Sequence, residues 1–114
     1  MPPLRVLLPI GSLHGGGSER QTVQILRHLD RSRFEPVLYL ITRGGELLGD
    51  VPEDVPVHAF HDRTPLPRLN WPGRIHRAEI RDLARVLREE RIDVIYDRTW
   101  HMTLITAAAA RRCP

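Results

Sequence analysis

The chain has no lysine: all 17 of its Lys-plus-Arg residues are arginine. This excludes any phosphate loop whose chemistry needs a lysine to reach terminal phosphates. The single cysteine, Cys113, permits no internal disulfide, and no metal-type Cys/His spacing surrounds it, so no metal site is expected. Aromatic residues are scarce, with two Phe, two Tyr and two Trp, and no nucleic-acid-binding module is recognisable, which argues against a nucleic-acid partner. The longest apolar stretch, within residues 102–110, is too short to span a bilayer. Residues 1–12 lack the apolar core of a signal peptide. A cytoplasmic location is the expectation.

What is present suits one soluble domain of 114 residues, 41% hydrophobic and 27% charged. A net charge of +3 permits an anionic partner without choosing among a phosphorylated ligand, a nucleic acid and an acidic membrane. Apolar runs predict strands at 4–10, 37–42, 57–60 and 92–96, with Pro36 tolerated at the start of the second. Amphipathic spacing predicts helices at 18–29 and 74–91. A third, at 101–112, is apolar on most faces and expected to be buried. Ser18 followed by Gln21 has capping-box spacing, which sets the first helix start at Ser18. Strand, helix, strand, strand, helix, strand, helix is the grammar of an α/β, Rossmann-like fold. It implies an open, mostly parallel sheet with helices on both faces and strand order 3-2-1-4.

Two loops stand out, 44–55 and the proline-rich 61–73. The fourth strand is left at an open edge although its residues look interior. Natural proteins rarely leave such an edge bare. The expectation is a piece of a longer protein or an edge that pairs with another chain, including a dimer through the fourth strand.

Residues 11–20, GSLHGGGSER, lie between the first strand and the first helix. Glycine lets backbone approach a ligand closely, and a helix start aims free N–H groups and the positive end of its dipole the same way. In the predicted order the loop after the first strand faces the one after the fourth, which carries Arg98 and His101. The crevice suits an anion, most plausibly phosphate. A plain strand-to-helix turn is the competing account, but three glycines in a row exceed what a turn needs. His14 is a candidate for acceptor contact. His101 is equally well read as a helix-start residue bonded locally, and Glu19 and Arg20 as pairing with neighbours in the first turn.

Three phosphate motifs can be tested. Gly11-x4-Gly16-Gly17-Ser18 has Walker spacing but puts glycine where lysine belongs. A dinucleotide fingerprint aligned on Gly15 and Gly17 puts Arg20 where the third glycine belongs. The second strand also ends without a ribose-binding acid, though Arg43 suits a 2′-phosphate. That leaves an NADP-binding Rossmann-type enzyme as an alternative. Third, Gly16-Gly17-Ser18-Glu19-Arg20, opening a helix after a first strand, resembles the GG-[A/S]-E-R signature of the group 1 retaining glycosyltransferases. The surrounding strand-helix-strand pattern, and the helix-strand-helix pattern of the last third, are similar to that family as well.

The resemblance implies a glycosyltransferase with the B-type fold, two Rossmann-like domains facing a cleft. The whole chain, 1–114, is then a partial N-terminal, acceptor-side domain, with the second, nucleotide-sugar-binding domain absent from it. It implies transfer of a sugar, with retention, from a UDP-, GDP- or ADP-type nucleotide-sugar to an acceptor, without a further cofactor. The candidate donor-phosphate and acceptor residues are Gly15, Gly16, Gly17, His14, Arg98 and His101. The catalytic residues are unassigned, and this piece alone is expected to be inactive.

The 74–91 helix places Ile80, Leu83, Ala84 and Leu87 on one face. Arg74, Arg77, Arg81, Arg85 and Arg88 share an adjoining stripe, with Asp82, Glu89 and Glu90 away from it. With Trp71 just ahead, this stripe is a candidate contact for an anionic membrane, the ordinary alternative being a solvated face. A non-catalytic α/β module dimerising through the fourth strand is the remaining alternative.

Overall fold

The computed structural model describes residues 2–63, 74–97 and 107–111. Strands β1 (Leu4–Ile10), β2 (Phe34–Leu40), β3 (Val57–Ala59) and β4 (Val94–Ile95) form one sheet in the order β3-β2-β1-β4. All three pairings are parallel, with Leu7 opposite both Val37 and Ile95. The predicted order 3-2-1-4 is therefore the observed one. Helices α1 (Gly17–His28), α2 (Phe60–Arg63) and α3 (Arg74–Glu89) and a 3-10 turn at Leu48–Asp50 complete the described elements, with residues 107–111 also helical.

Side chains alternate along a strand, so each strand serves two cores. Val6, Leu8 and Ile10, with Leu38 and Leu40, pack with Val23 and Leu26 of α1. Leu7, Val37 and Tyr39 pack on the other face with Leu83, Ala84, Val86 and Leu87 of α3. Ala109 is buried there too, but Ala107 and Arg111 are exposed, so the described part of the final helix is buried on one side and not throughout as expected. Complete burial of side chains such as Leu26 and Leu83 stabilises the fold by about 1.5–3 kcal/mol each. Helices thus cover both faces.

Two prolines sit inside strands without breaking the sheet. Pro36 comes before the β2–β3 ladder begins at Leu38, and Pro9 lies past the end of the β1–β4 ladder at Leu7. Neither position has a neighbouring strand to which an N–H would donate on that side. β2 consequently starts three residues earlier than the apolar run 37–42 suggests, and ends at Leu40. Leu4 N–H donates to Arg33 carbonyl at 2.9 Å, which fixes the early start.

The other boundaries shift for local reasons. The Ser18 capping box does not form. Gly16 is the N-cap, without a side-chain cap bond, and Ser18 lies inside α1 with its carbonyl accepting from Thr22 Oγ1 at 2.9 Å. α3 ends at Glu89, after which Arg91 turns left-handed with φ 50°. Ile92 N–H then donates back to Leu87 carbonyl at 3.0 Å. That bond closes the helix and removes Ile92 from the predicted fourth strand. Single bonds from Asp93 N–H to Arg5 carbonyl and from Tyr96 N–H to Leu7 carbonyl flank the two-residue β4.

Arg5 ties the amino edge of the sheet together, at the opposite end from the glycine loop. Its guanidinium meets Glu35 at 2.7 Å and Glu90 at 2.6 Å, and the Arg5 backbone N–H donates to Asp93 Oδ2 at 2.9 Å. Glu90 also meets His58 Nε2 at 2.9 Å. The outer edge of β4 pairs with no strand among the described residues. Val94 and Tyr96 are 43% and 45% exposed there. With Val6, Leu8, Ile25, Leu29 and Phe34 they line an apolar groove of about 350 Å³.

Candidate functional site

All four strands point their carboxyl ends to one edge, where open α/β sheets take ligands. The glycine loop leaves that edge from Ile10, the end of β1, and β4 runs beside β1. His14, Gly15, Gly16 and Gly17 therefore lie where the sequence places them, with His14, Gly15 and Gly17 exposed and Gly16 half-buried. Arg98, His101 and Trp71 lie outside the described residues, as does the side chain of Arg74.

The glycines are not equivalent. Gly16 N–H is spent on His14 carbonyl at 2.7 Å, and Gly16 carbonyl accepts from Arg20 N–H at 3.0 Å as α1 begins. The amides of Gly15, Gly17, Ser18 and Glu19 make no hydrogen bond among the described residues. Three of these four are the first residues of a 12-residue helix, so free N–H donors and the positive dipole end coincide. A Cβ on Gly17 would meet nothing within 4 Å, whereas one on Gly15 would overlap the Glu46 carboxylate and one on Gly16 that of Glu19. The open donors at the helix start are thus at Gly17, Ser18 and Glu19, further on than the middle of the glycine run.

A second loop supports the first, and sequence reasoning missed it. Leu13 N–H donates to Gly44 carbonyl at 3.0 Å, and Leu47 N–H donates to Leu13 carbonyl at 3.0 Å. Between them Gly45 adopts φ +111°, with Leu13 and His14 backbone where a Cβ would stand. Only glycine satisfies both demands. Leu13 itself is fully buried, so the glycine loop is anchored in the core just before it opens to solvent. The one available signal was the Gly44-Gly45 pair, which by itself does not say what it packs against.

Arg20, Glu19 and Glu46 make no ion pair or hydrogen bond through their side chains among the described residues. The expected local pairing of Glu19 and Arg20 is therefore absent. Arg20 Nη2 lies 3.5 Å from the Cβ position of Gly15, placing a cation on the rim of the loop. Arg43 donates to Val57 carbonyl at 3.1 Å. His61, just past the end of β3, has a buried Nδ1 with no hydrogen-bond partner among the described residues and an edge-on contact with Phe60 at 4.9 Å.

The arginine stripe of α3 is less uniform than its helical spacing suggests. Arg77, Arg81 and Arg88 are exposed, but Arg85 meets Asp82 at 2.8 Å and Glu89 at 4.0 Å. The hydrogen bond that Arg85 donates to Asp82 raises the Arg85 pKa above its ordinary value. Asp82 does not lie away from the stripe. It is buried at its margin, accepting from the wholly buried Tyr39 hydroxyl at 2.7 Å as well as from Arg85. No described helix is long and apolar enough to cross a membrane, and no metal-type cluster of His, Cys, Asp or Glu occurs among the described residues.

Compared with known protein families, residues 15–114 match the model described as Glycosyltransferase Family 4. The match begins at the first of the three glycines and takes in α1, the sheet from β2 onward, and α3. No curated protein and no solved structure matches the chain.

Proposed function

Since the chain belongs to glycosyltransferase family 4, as an N-terminal-type domain of the group 1 enzymes, we propose that its glycine loop receives the phosphates of a nucleotide-sugar donor. The observation that carries this reading is the set of uncommitted amides at Gly17, Ser18 and Glu19, at the carboxyl edge of the sheet. Arg20, with no side-chain partner among the described residues, adds a cation within reach of the same place. Together they form a seat for negatively charged oxygen.

In sugar transfer the bond from the anomeric carbon to the terminal phosphate oxygen breaks, and its electron pair passes to that oxygen. Fixed donors aimed at the phosphate stabilise the leaving nucleotide while the sugar becomes oxocarbenium-like. The amides of α1 need no reorganisation to do this, because the helix already points them outward. Donor contacts are completed across a cleft by a second Rossmann-like domain, and the acceptor approaches past His14. The reaction proceeds with retention of anomeric configuration, and UDP, GDP and ADP are the candidate donor nucleotides.

Isothermal calorimetry with UDP, GDP, ADP and NADP, on the protein with both of its domains, tests the reading. Binding of at least one nucleoside diphosphate is expected. Binding of NADP alone would replace the transferase reading with a dinucleotide one.

A further inference from the structure

The glycine loop is not empty of charge. Glu46 reaches it from the β2–β3 connection, its Oε1 standing where a Gly15 Cβ would be. Glu19 folds back from the first turn of α1, its Oε2 standing where a Gly16 Cβ would be. The three glycines therefore do two things: Gly17 leaves space open, and Gly15 and Gly16 admit carboxylates.

Glu46 is there by construction of the backbone. The bonds from Leu13 N–H to Gly44 carbonyl and from Leu47 N–H to Leu13 carbonyl clamp the connection on either side of it. Gly45, at φ +111°, lets that segment lie directly on the Leu13–His14 backbone. The carboxylate so delivered has no hydrogen bond or ion pair among the described residues. An exposed carboxylate with no partner gains from proximity to a helix start, and it repels a second anion that comes to the same place.

We infer that Glu46 is a built-in competitor for the glycine loop: its carboxylate, held over Gly15, repels the phosphates of a nucleoside diphosphate that approach the open α1 amides. Glu19, over Gly16, adds to that repulsion, and Arg20, on the same rim, opposes it. This inference rests on the phosphate-binding reading above and adds its regulation: nucleotide affinity is held down by a carboxylate that the β2–β3 connection controls.

The test compares wild type, Glu46→Gln and Glu53→Gln by calorimetry with UDP, GDP and ADP. Glu53 is an exposed acid near Arg27 and Asp50, and its substitution changes net charge by the same amount. Glu46→Gln is expected to bind the preferred nucleotide about three- to tenfold more tightly, with Glu53→Gln unchanged. Its thermal midpoint should fall by no more than about 5 °C, because Glu46 makes no hydrogen bond among the described residues and only its attraction to the helix start is lost. Unchanged or weaker binding by Glu46→Gln overturns the competitor role and leaves the phosphate site standing, as does equal tightening by Glu53→Gln. Failure of all three proteins to bind any nucleoside diphosphate removes the phosphate reading and this inference with it.

Discussion

Gly17→Ala separates what the glycine loop does for the fold from what it does for a ligand. Gly17 is the first residue of α1, directly after the N-cap Gly16, and nothing lies within 4 Å of the Cβ that the substitution adds. Its backbone is not left-handed, since among the described residues Gly45 is the glycine with positive φ. Alanine therefore fits without strain and restricts the unfolded chain, a gain of about 0.4–1 kcal/mol. For a domain of this size that is a rise in melting temperature of roughly 2–6 °C. The same methyl group stands in the space through which phosphate oxygen reaches the free amides. Loss of one charge-assisted hydrogen bond costs about 1.5–3 kcal/mol, or roughly 10- to 150-fold in affinity. Thermal melts and calorimetry with UDP, GDP and ADP on both proteins measure the two effects separately. A lower melting temperature would refute the open geometry at Gly17. A higher one with undiminished nucleotide affinity would remove Gly17 from the phosphate contact.

Other substitutions probe the supports of the loop and the surface nearby. Gly45→Ala combines a left-handed backbone with overlap of Leu13 and His14 backbone, so urea unfolding should show a loss of about 2–4 kcal/mol. A loss under about 1 kcal/mol would contradict the packing of the two loops. Asp30 is held below the ordinary carboxylate range, first by the hydroxyl of Ser32 and then by the Ser32 backbone N–H. Its folded pKa is lowered, so its contribution to stability is present above the ordinary Asp value and fades as pH falls through the lowered one. Ser32→Ala should move the Asp30 titration upward in an NMR pH series, and an unmoved titration would show that the hydroxyl is not the cause.

Strand order was readable because it depends on a few coarse signals. Four apolar runs, one long crossover and the handedness of parallel connections leave little choice once 3-2-1-4 is drawn. Finer features depended on competitions that a linear reading cannot weigh. Ser18 is a strong N-cap by type, but the chain starts the helix two residues sooner, on Gly16, and uses the Ser18 carbonyl instead as a partner for Thr22. α2, four residues long, is too short to leave a periodic pattern. Most of all, the meeting of Leu13 with Gly44 and Leu47 joins two irregular segments about 30 residues apart. No spacing rule connects them, so the carboxylate of Glu46 could not have been placed at the glycine loop from its position in the chain. That the glycine loop stands at the carboxyl edge of the sheet was legible; which of its amides are free, and what leans on them, came only with the fold.

The central place of β1 has a consequence for how this chain comes into being. Its partner β2 ends at Leu40, but its other partner begins at Val94, and at ribosomal speeds of roughly 5–20 residues per second that gap lasts on the order of 3–11 s. Throughout it, one flank of the middle strand waits for residues not yet polymerised, and Arg5 waits with it for Glu90 and Asp93. The nascent chain thus exposes this apolar flank early and pairs it only once Val94 and Ile95 are made. A factor that shields apolar β-structure during translation would find its target in the first ten residues.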